Sequence, residues 1–232
     1  MHVGPILVEV VLGNVKNVNL TVRRQSGAVR LSAPRRMRPE AIRAFVLSKV
    51  SWIERHQAKA RAQRPPRAAV FVDGERHDVW GRPHRLTVTE APGRSTVECE
   101  EGRMRLTVAP GANVERRRTI VAGWQREEVR RAATPLIARW ESRLGVEVNR
   151  WFVRRMTTRW GSCNPLRGHI RFSSALAAKP PDCLEYVVVH ELAHLLVPRH
   201  DARFYAVMDR HLPGWRTVRR TLDGTTAGDL RD

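Results

Sequence analysis

Apolar residues follow two periods along this chain, and the switches between them outline its elements. Near the N-terminus, residues 18–22 and 28–33 alternate apolar and polar side chains, as half-buried strands do. Gln25-Ser26-Gly27 stands between them as a hairpin turn. Pro39-Glu40 opens a helix in which Ile42, Phe45, Val46, the stem of Lys49, Val50 and Ile53 recur at helical spacing. Trp52 and Ile53 close its inner face, and residues 61–69, with Pro65-Pro66, read as a linker.

Short strands are expected next, at 70–72, 77–80, 85–89, 95–99 and 104–108, with Asp73-Gly74 and Glu101-Gly102 as tight turns. The strand at 29–34 leads to a helix ending near Trp52, and residues 104–110 lead to a helix bearing Trp124, which hints at a duplicated strand-then-helix module. Residues 114–144 carry Ile120, Trp124, Val129, Ala132, Ile137, Trp140 and Leu144 at helical spacing. Pro135 is expected to kink or divide that helix, and Gly145 to end it. Residues 148–156 and 169–172 read as strands joined through a loop at Trp160-Gly161-Ser162-Cys163, and the tail from Asp182 is helical. The fold class is α+β, with a β-rich region bearing one helix at 1–112 and a second domain of helices and strands at 113–232, to which the chemistry discussed below belongs.

The segment from Asp182 is apolar on almost every face, through Leu184, Tyr186, Val187, Val188, Val189, Leu192, Leu195, Leu196 and Val197. Such a helix is buried. Asp182 and Glu185 fit a capping box behind Pro180 and Pro181, and Pro198 stops the helix. Inside this run stands His190-Glu191-Leu192-Ala193-His194. Histidines four apart lie one turn above each other on one face, close enough to share one Zn²⁺. Glu191 is rotated about a third of a turn away, placed for a water molecule rather than for the metal. Burial of two imidazoles and a carboxylate without a partner ion is costly. His200, six residues after His194 and past the Pro198 break, is the expected third ligand. That spacing also occurs in metzincins, which have Gly where Val197 stands; here Pro198 makes the turn. Asp201, better suited to cap the next helix, and His211, a helix further on, are weaker candidates. His2, His56, His77 and His84 have no spaced partner and read as surface residues, and His169 reads as solvated or satisfied.

Composition narrows the picture. The 232 residues suffice for one large domain or two small ones, and the 42% hydrophobic content is that of a globular protein. No apolar run reaches the roughly 18 residues a membrane helix needs, and the first 15 residues lack the order of a signal peptide. A cytoplasmic protein without membrane partners is expected. Cys99, Cys163 and Cys183 are odd in number and widely spaced, which excludes a four-cysteine zinc site and argues against a disulfide framework. Cys163 offers a rival chemistry, a thiol nucleophile with His190 as base, although a free cysteine is usually a small buried hydrophobe. The net charge of +19 would attract polyanions. The excess is nearly all arginine spread along the chain, without the aromatic interleaving that stacks bases. Trp160 and Trp215 read as core, as do Phe204, Val207, Met208 and Leu212 on the helix after His200.

Four blocks in order, Thr158-Arg159-Trp160-Gly161-Ser162-Cys163, His169-Ile170-Arg171-Phe172, residues 186–194 around the histidine pair, and His200 with Phe204, resemble the YgjP-like metal-dependent hydrolases, a metallopeptidase-domain family. A more distant likeness is to SprT-type zinc proteases. Weaker similarity reaches Arg30-Leu31-Ser32 and Trp52-Ile53, so most of the chain is covered; Phe172-Ser173-Ser174 departs from the Asn-rich strand usual in the family. The resemblance implies a zincin-like HExxH domain on which the N-terminal hairpin and helix region packs. It implies His190, His194 and His200 as zinc ligands, Glu191 as the catalytic carboxylate, and Trp160, Gly161, Ser162 and Cys163 beside the active helix. The expected function is zinc-dependent hydrolysis of a peptide or protein. The alternatives are a metal-dependent nucleoside triphosphate pyrophosphatase, in which arginines hold phosphates, and a nucleic-acid-associated module whose zinc is structural.

Overall fold

The computed structural model describes residues 1–4, 6–23, 27–62 and 69–223, and the proline-containing part of the expected linker lies outside them, as do Gln25 and Ser26. The chain forms two compact units, Met1–Ala68 and Ala69–Asp232.

In the first unit, β1 (His2–Val3), β2 (Ile6–Gly13), β3 (Asn19–Val22) and β4 (Val29–Pro34) form a sheet in the order β1-β2-β4-β3. The 3–4 pair is the expected antiparallel one, whereas β2 runs parallel to β4. Alternation at Ile6, Val8 and Val10 buries one face of β2. The helix expected from Pro39 onward is two helices, α1 (Pro39–Leu47) and α2 (Val50–Ala62). They part at Ser48, whose hydroxyl donates to the Phe45 carbonyl and competes with the helical ladder. Ile42, Val46 and Ile53 from these helices complete a core with Val8, Val29 and Leu31.

The second unit repeats that strand plan. β5 (Arg76–Val79), β6 (Arg82–Glu90), β7 (Thr96–Glu100) and β8 (Arg103–Val108) are ordered β5-β6-β8-β7. The pair β6/β8 is parallel, and β5/β6 and β7/β8 are antiparallel, matching the orientations in the first sheet. The sequence echo therefore coincides with a repeated four-strand topology. Residues 70–72, expected as a strand, run irregularly, with Phe71 at φ 52°. The turn between β5 and β6 is Trp80-Gly81, both at positive φ (48° and 77°), the pattern of a type I′ hairpin. Gly81 is required there, because a Cβ would lie 2.8 Å from Pro180 Cγ.

A 31-residue helix, α3 (Val114–Leu144), follows, capped by the Asn113 side chain and closed by Gly145 at φ 65°. Pro135 neither ends nor divides it. Pro135 is exposed while Ala133, Ile137 and Trp140 are buried, so the carbonyl it leaves unpaired stands on the solvent side. The expected boundary at 112/113 would cut through one core: Phe71, Leu86, Met104, Leu106 and Val108 pack with Val121 of α3. Arg117 and Arg118 of the same helix donate to the Phe71 and Ala69 carbonyls. The sheet of β5–β8 thus belongs with the helices that follow.

The third sheet consists of β9 (Arg150–Arg154), β10 (Gly161–Asn164) and β11 (His169–Ser173), in the order β10-β11-β9. β9 is parallel to β11 and β10 antiparallel. The segment expected as a Trp160–Cys163 loop is therefore mostly an edge strand. A 3₁₀ turn (Ser174–Ala178) leads to α4 (Pro181–Leu196), α5 (Ala202–His211) and α6 (Trp215–Asp223). Trp160, Trp215, Phe204 and Met208 lie in the core around α4, as their spacing indicates.

Candidate metal centre

α4 is the most completely buried helix of the second unit: from Cys183 to Ala193 only Glu185 is not fully enclosed. It begins at Pro181 with no side-chain cap, so the expected capping box at Asp182 is absent. Proline at the first helical turn needs no N–H partner, which removes the demand for such a cap. Glu185 instead accepts from Trp140 Nε1 at 3.0 Å and Arg139 at 2.5 Å, tying α4 to α3.

His190 and Glu191 are 3% and 2% exposed. The helix ends at Leu196, the chain turns through Val197 and Pro198, and Asp201 caps α5 by accepting from the Arg203 and Phe204 amides. His200, the residue before that cap, is thereby brought against α4. Its Nε2 lies 3.1 Å from His190 Nε2, and one nitrogen from each of His190, His194 and His200 falls within 4.8 Å of the others. Nδ1 of His194 is 3.3 Å from the Val197 carbonyl, which leaves Nε2 as its free nitrogen. Phe204 closes the floor, its ring 5.0, 4.7 and 4.7 Å from those of His190, His194 and His200. A stacked series Tyr186–Trp215–Tyr205 continues to His200, with neighbouring ring centroids 5.9, 5.9 and 6.4 Å apart.

These residues line a cavity of about 210 Å³ with Arg159, Gly161, Ser162, Cys163, Pro165 and Pro198. Trp160 lies in the core beneath it, not in its wall. Among the described residues, Asp201 serves as a cap, and neither His169 nor His211 joins the three histidines. His84, expected at the surface, is buried with Nδ1 2.9 Å from the Arg82 carbonyl, and His77 packs on Phe71 beside Glu75. The spacing of the histidines located the centre. Gly161 is expected beside the active helix through the resemblance alone, and Arg159 belongs only to the resembling block, since their approach to Glu191 depends on the pairing of β10 with β11.

Burial and mutual repulsion hold His190 well below its ordinary pKa and His194 at about 4, so both are neutral, ligand-ready imidazoles at neutral pH. Burial pushes the Glu191 carboxyl up to about 8, with Arg159 opposing. Glu191 Oε2 and His190 Nδ1 are buried without a hydrogen-bond partner among the described residues. The Cys163 thiol is pushed up to about 12 by burial and by the Glu191 carboxylate, which removes the thiolate that the nucleophile alternative needs. Three convergent imidazole nitrogens fit a tetrahedral divalent ion. Bonds of about 2.0–2.1 Å set such nitrogens about 3.3 Å apart, close to the 3.1 Å seen between His190 and His200.

A mixed α+β scaffold with three converging histidines, one buried and two partly buried, beside a buried carboxylate is the arrangement of a metal-dependent hydrolase. The chain belongs to the YgjP-like family: residues 16–225 match its description, YgjP-like, metallopeptidase domain. Among solved structures, it is similar to the crystal structure of the metallopeptidase zymogen of Pyrococcus abyssi abylysin. That likeness is 18% identical, covers 41% of this chain and 97% of the other, and has a TM-score of 0.38. No curated protein matches the chain. No helix among the described residues is long and apolar enough to cross a membrane.

Proposed function

We propose that this protein is a zinc-dependent peptidase of zincin type, with His190, His194 and His200 as ligands and Glu191 as general base. The observation that carries the proposal is the convergence of three imidazoles beside a buried carboxylate that is not one of the converging group. Three protein ligands leave a coordination position open, whereas structural zinc sites are closed by four. Zinc bound there would act as a Lewis acid and lower the pKa of a water in the site to about 7.

The chain supplies the remaining chemistry. The Val197 carbonyl fixes the tautomer of His194, and the Phe204 ring packs against all three imidazoles. Glu191, made a stronger base by its apolar surroundings, takes a proton from the attacking water and passes it to the leaving amine. Arg159, in the wall of the same cavity, offers a cation to the negative charge that develops on the carbonyl oxygen.

The strand β10 supports a peptide substrate. It is an edge strand, and its residues Gly161, Ser162 and Cys163 line the cavity of the histidines. An extended peptide can pair with such an edge and present its carbonyl to the site. A nucleoside triphosphate would place several negative charges in a cavity whose wall contains one arginine, which makes it the weaker candidate. The test is Glu191→Gln in zinc-loaded protein, assayed on unfolded protein and on each nucleotide. Peptide hydrolysis lost with zinc retained is expected. Hydrolysis of nucleotides alone, or salt-dependent nucleic-acid binding without any hydrolysis, would replace the proposal.

A further inference from the structure

Gly161 occupies β10 with a φ that any residue can adopt, so conformation does not require glycine there. Space does. A Cβ on Gly161 would lie 2.8 Å from Glu191 Cγ and 2.8 Å from Val187 Cγ1, and would overlap Glu191 Oε1. Neither backbone has room to withdraw. Gly161 pairs with Phe172 and Cys163 with Ile170, both fully buried, and the Ser173 amide donates to the Trp160 carbonyl at 2.8 Å. On the other side, Val187 and Glu191 sit one turn apart on the enclosed face of α4. The carboxylate is the movable part of this contact.

We infer that Gly161 is the positioning residue of Glu191: its bare backbone forms the wall against which the carboxylate stands, and any side chain there turns the carboxylate away from the histidines. This inference rests on the peptidase reading for its catalytic consequence, but the contact itself can be tested without turnover.

The experiment is a double-mutant cycle of Gly161→Ala and Glu191→Ala on chelator-treated protein, read by thermal unfolding, with activity of zinc-loaded Gly161→Ala measured alongside. In the wild-type background, Gly161→Ala should lower the melting temperature by about 5 °C, as overpacking of a core does. In the Glu191→Ala background, where the carboxylate no longer stands in the way, the loss should shrink to less than half. A Gly161→Ala chain that folds only with Glu191→Ala has the same meaning. Zinc-loaded Gly161→Ala should bind one zinc as wild type does and lose about 100-fold in kcat with little change in KM, the mark of a displaced catalytic group. Glu191→Asp, one methylene shorter, should recover part of that loss in the Gly161→Ala enzyme. Equal melting losses in both backgrounds, or a Gly161→Ala chain that folds in neither, would assign the conflict to Val187 and overturn the inference. Wild-type kcat in Gly161→Ala would overturn it too. If the wild type hydrolyses nothing, the peptidase reading fails, and the two melting temperatures alone accept or reject the contact.

Discussion

Burial acts on Glu191 and on the two helix histidines in opposite directions, and in each case it favours the neutral form. In the zinc-free protein, His190 and His194 refuse protons that the unfolded chain accepts below about pH 6.5. Stability therefore falls as pH drops from 6.5 toward 4. Glu191 holds a proton in the fold that the unfolded chain has already released, so its contribution is lost as pH rises from 4.5 to about 8. Two histidines outweigh one carboxyl in the acid window, and above it the carboxyl acts alone. Thermal melts of zinc-free protein should thus show greatest stability near pH 6.5. Glu191→Gln should flatten the decline between 6.5 and 8 while the acid limb remains. An alkaline limb unchanged by that substitution would refute the assigned cause.

At the scale of elements, the α4–α5 connection makes the centre. Asp201 fixes the start of α5, and His200 is the preceding residue. Asp201→Ala should lower the melting temperature, as loss of an N-cap does. It should also weaken zinc binding about 10-fold by freeing His200. Asp182→Ala should change neither, because α4 starts on Pro181 without that side chain. Zinc titrations and melts of both variants check this contrast, and equal effects would contradict it. The same connection explains what the sequence could disclose. His190, His194 and His200 lie within one helix and one turn, where spacing alone determines neighbours. β10 is four residues long and contains glycine, so its strand pattern is faint, and its place against Glu191 depends on pairing with a strand that follows it. The parallel pairs β2/β4, β6/β8 and β9/β11 were hidden for a related reason: alternation reveals a buried face but not the partner. The apparent capping box failed because Pro181 already supplies what the cap would have supplied.

For the whole molecule, the division after Ala68 separates one four-strand module from a second that shares its core with α3. A fragment beginning at residue 69 should fold and bind one zinc, whereas one beginning at 113 should aggregate. The shorter fragment strips β5–β8 from Val121, Ile120 and Trp124 and exposes an apolar face. Circular dichroism and gel filtration of the two fragments decide this, and a soluble, zinc-binding 113–232 fragment would contradict it.

The most direct test of the central claim is X-ray absorption spectroscopy, with metal analysis, on the zinc-loaded chain and on His200→Ala. One zinc per chain, bound by three imidazole nitrogens and one non-protein oxygen, is predicted, with one imidazole lost in His200→Ala. A chain that takes up no stoichiometric zinc, or whose zinc is closed by a fourth protein ligand, would contradict the account.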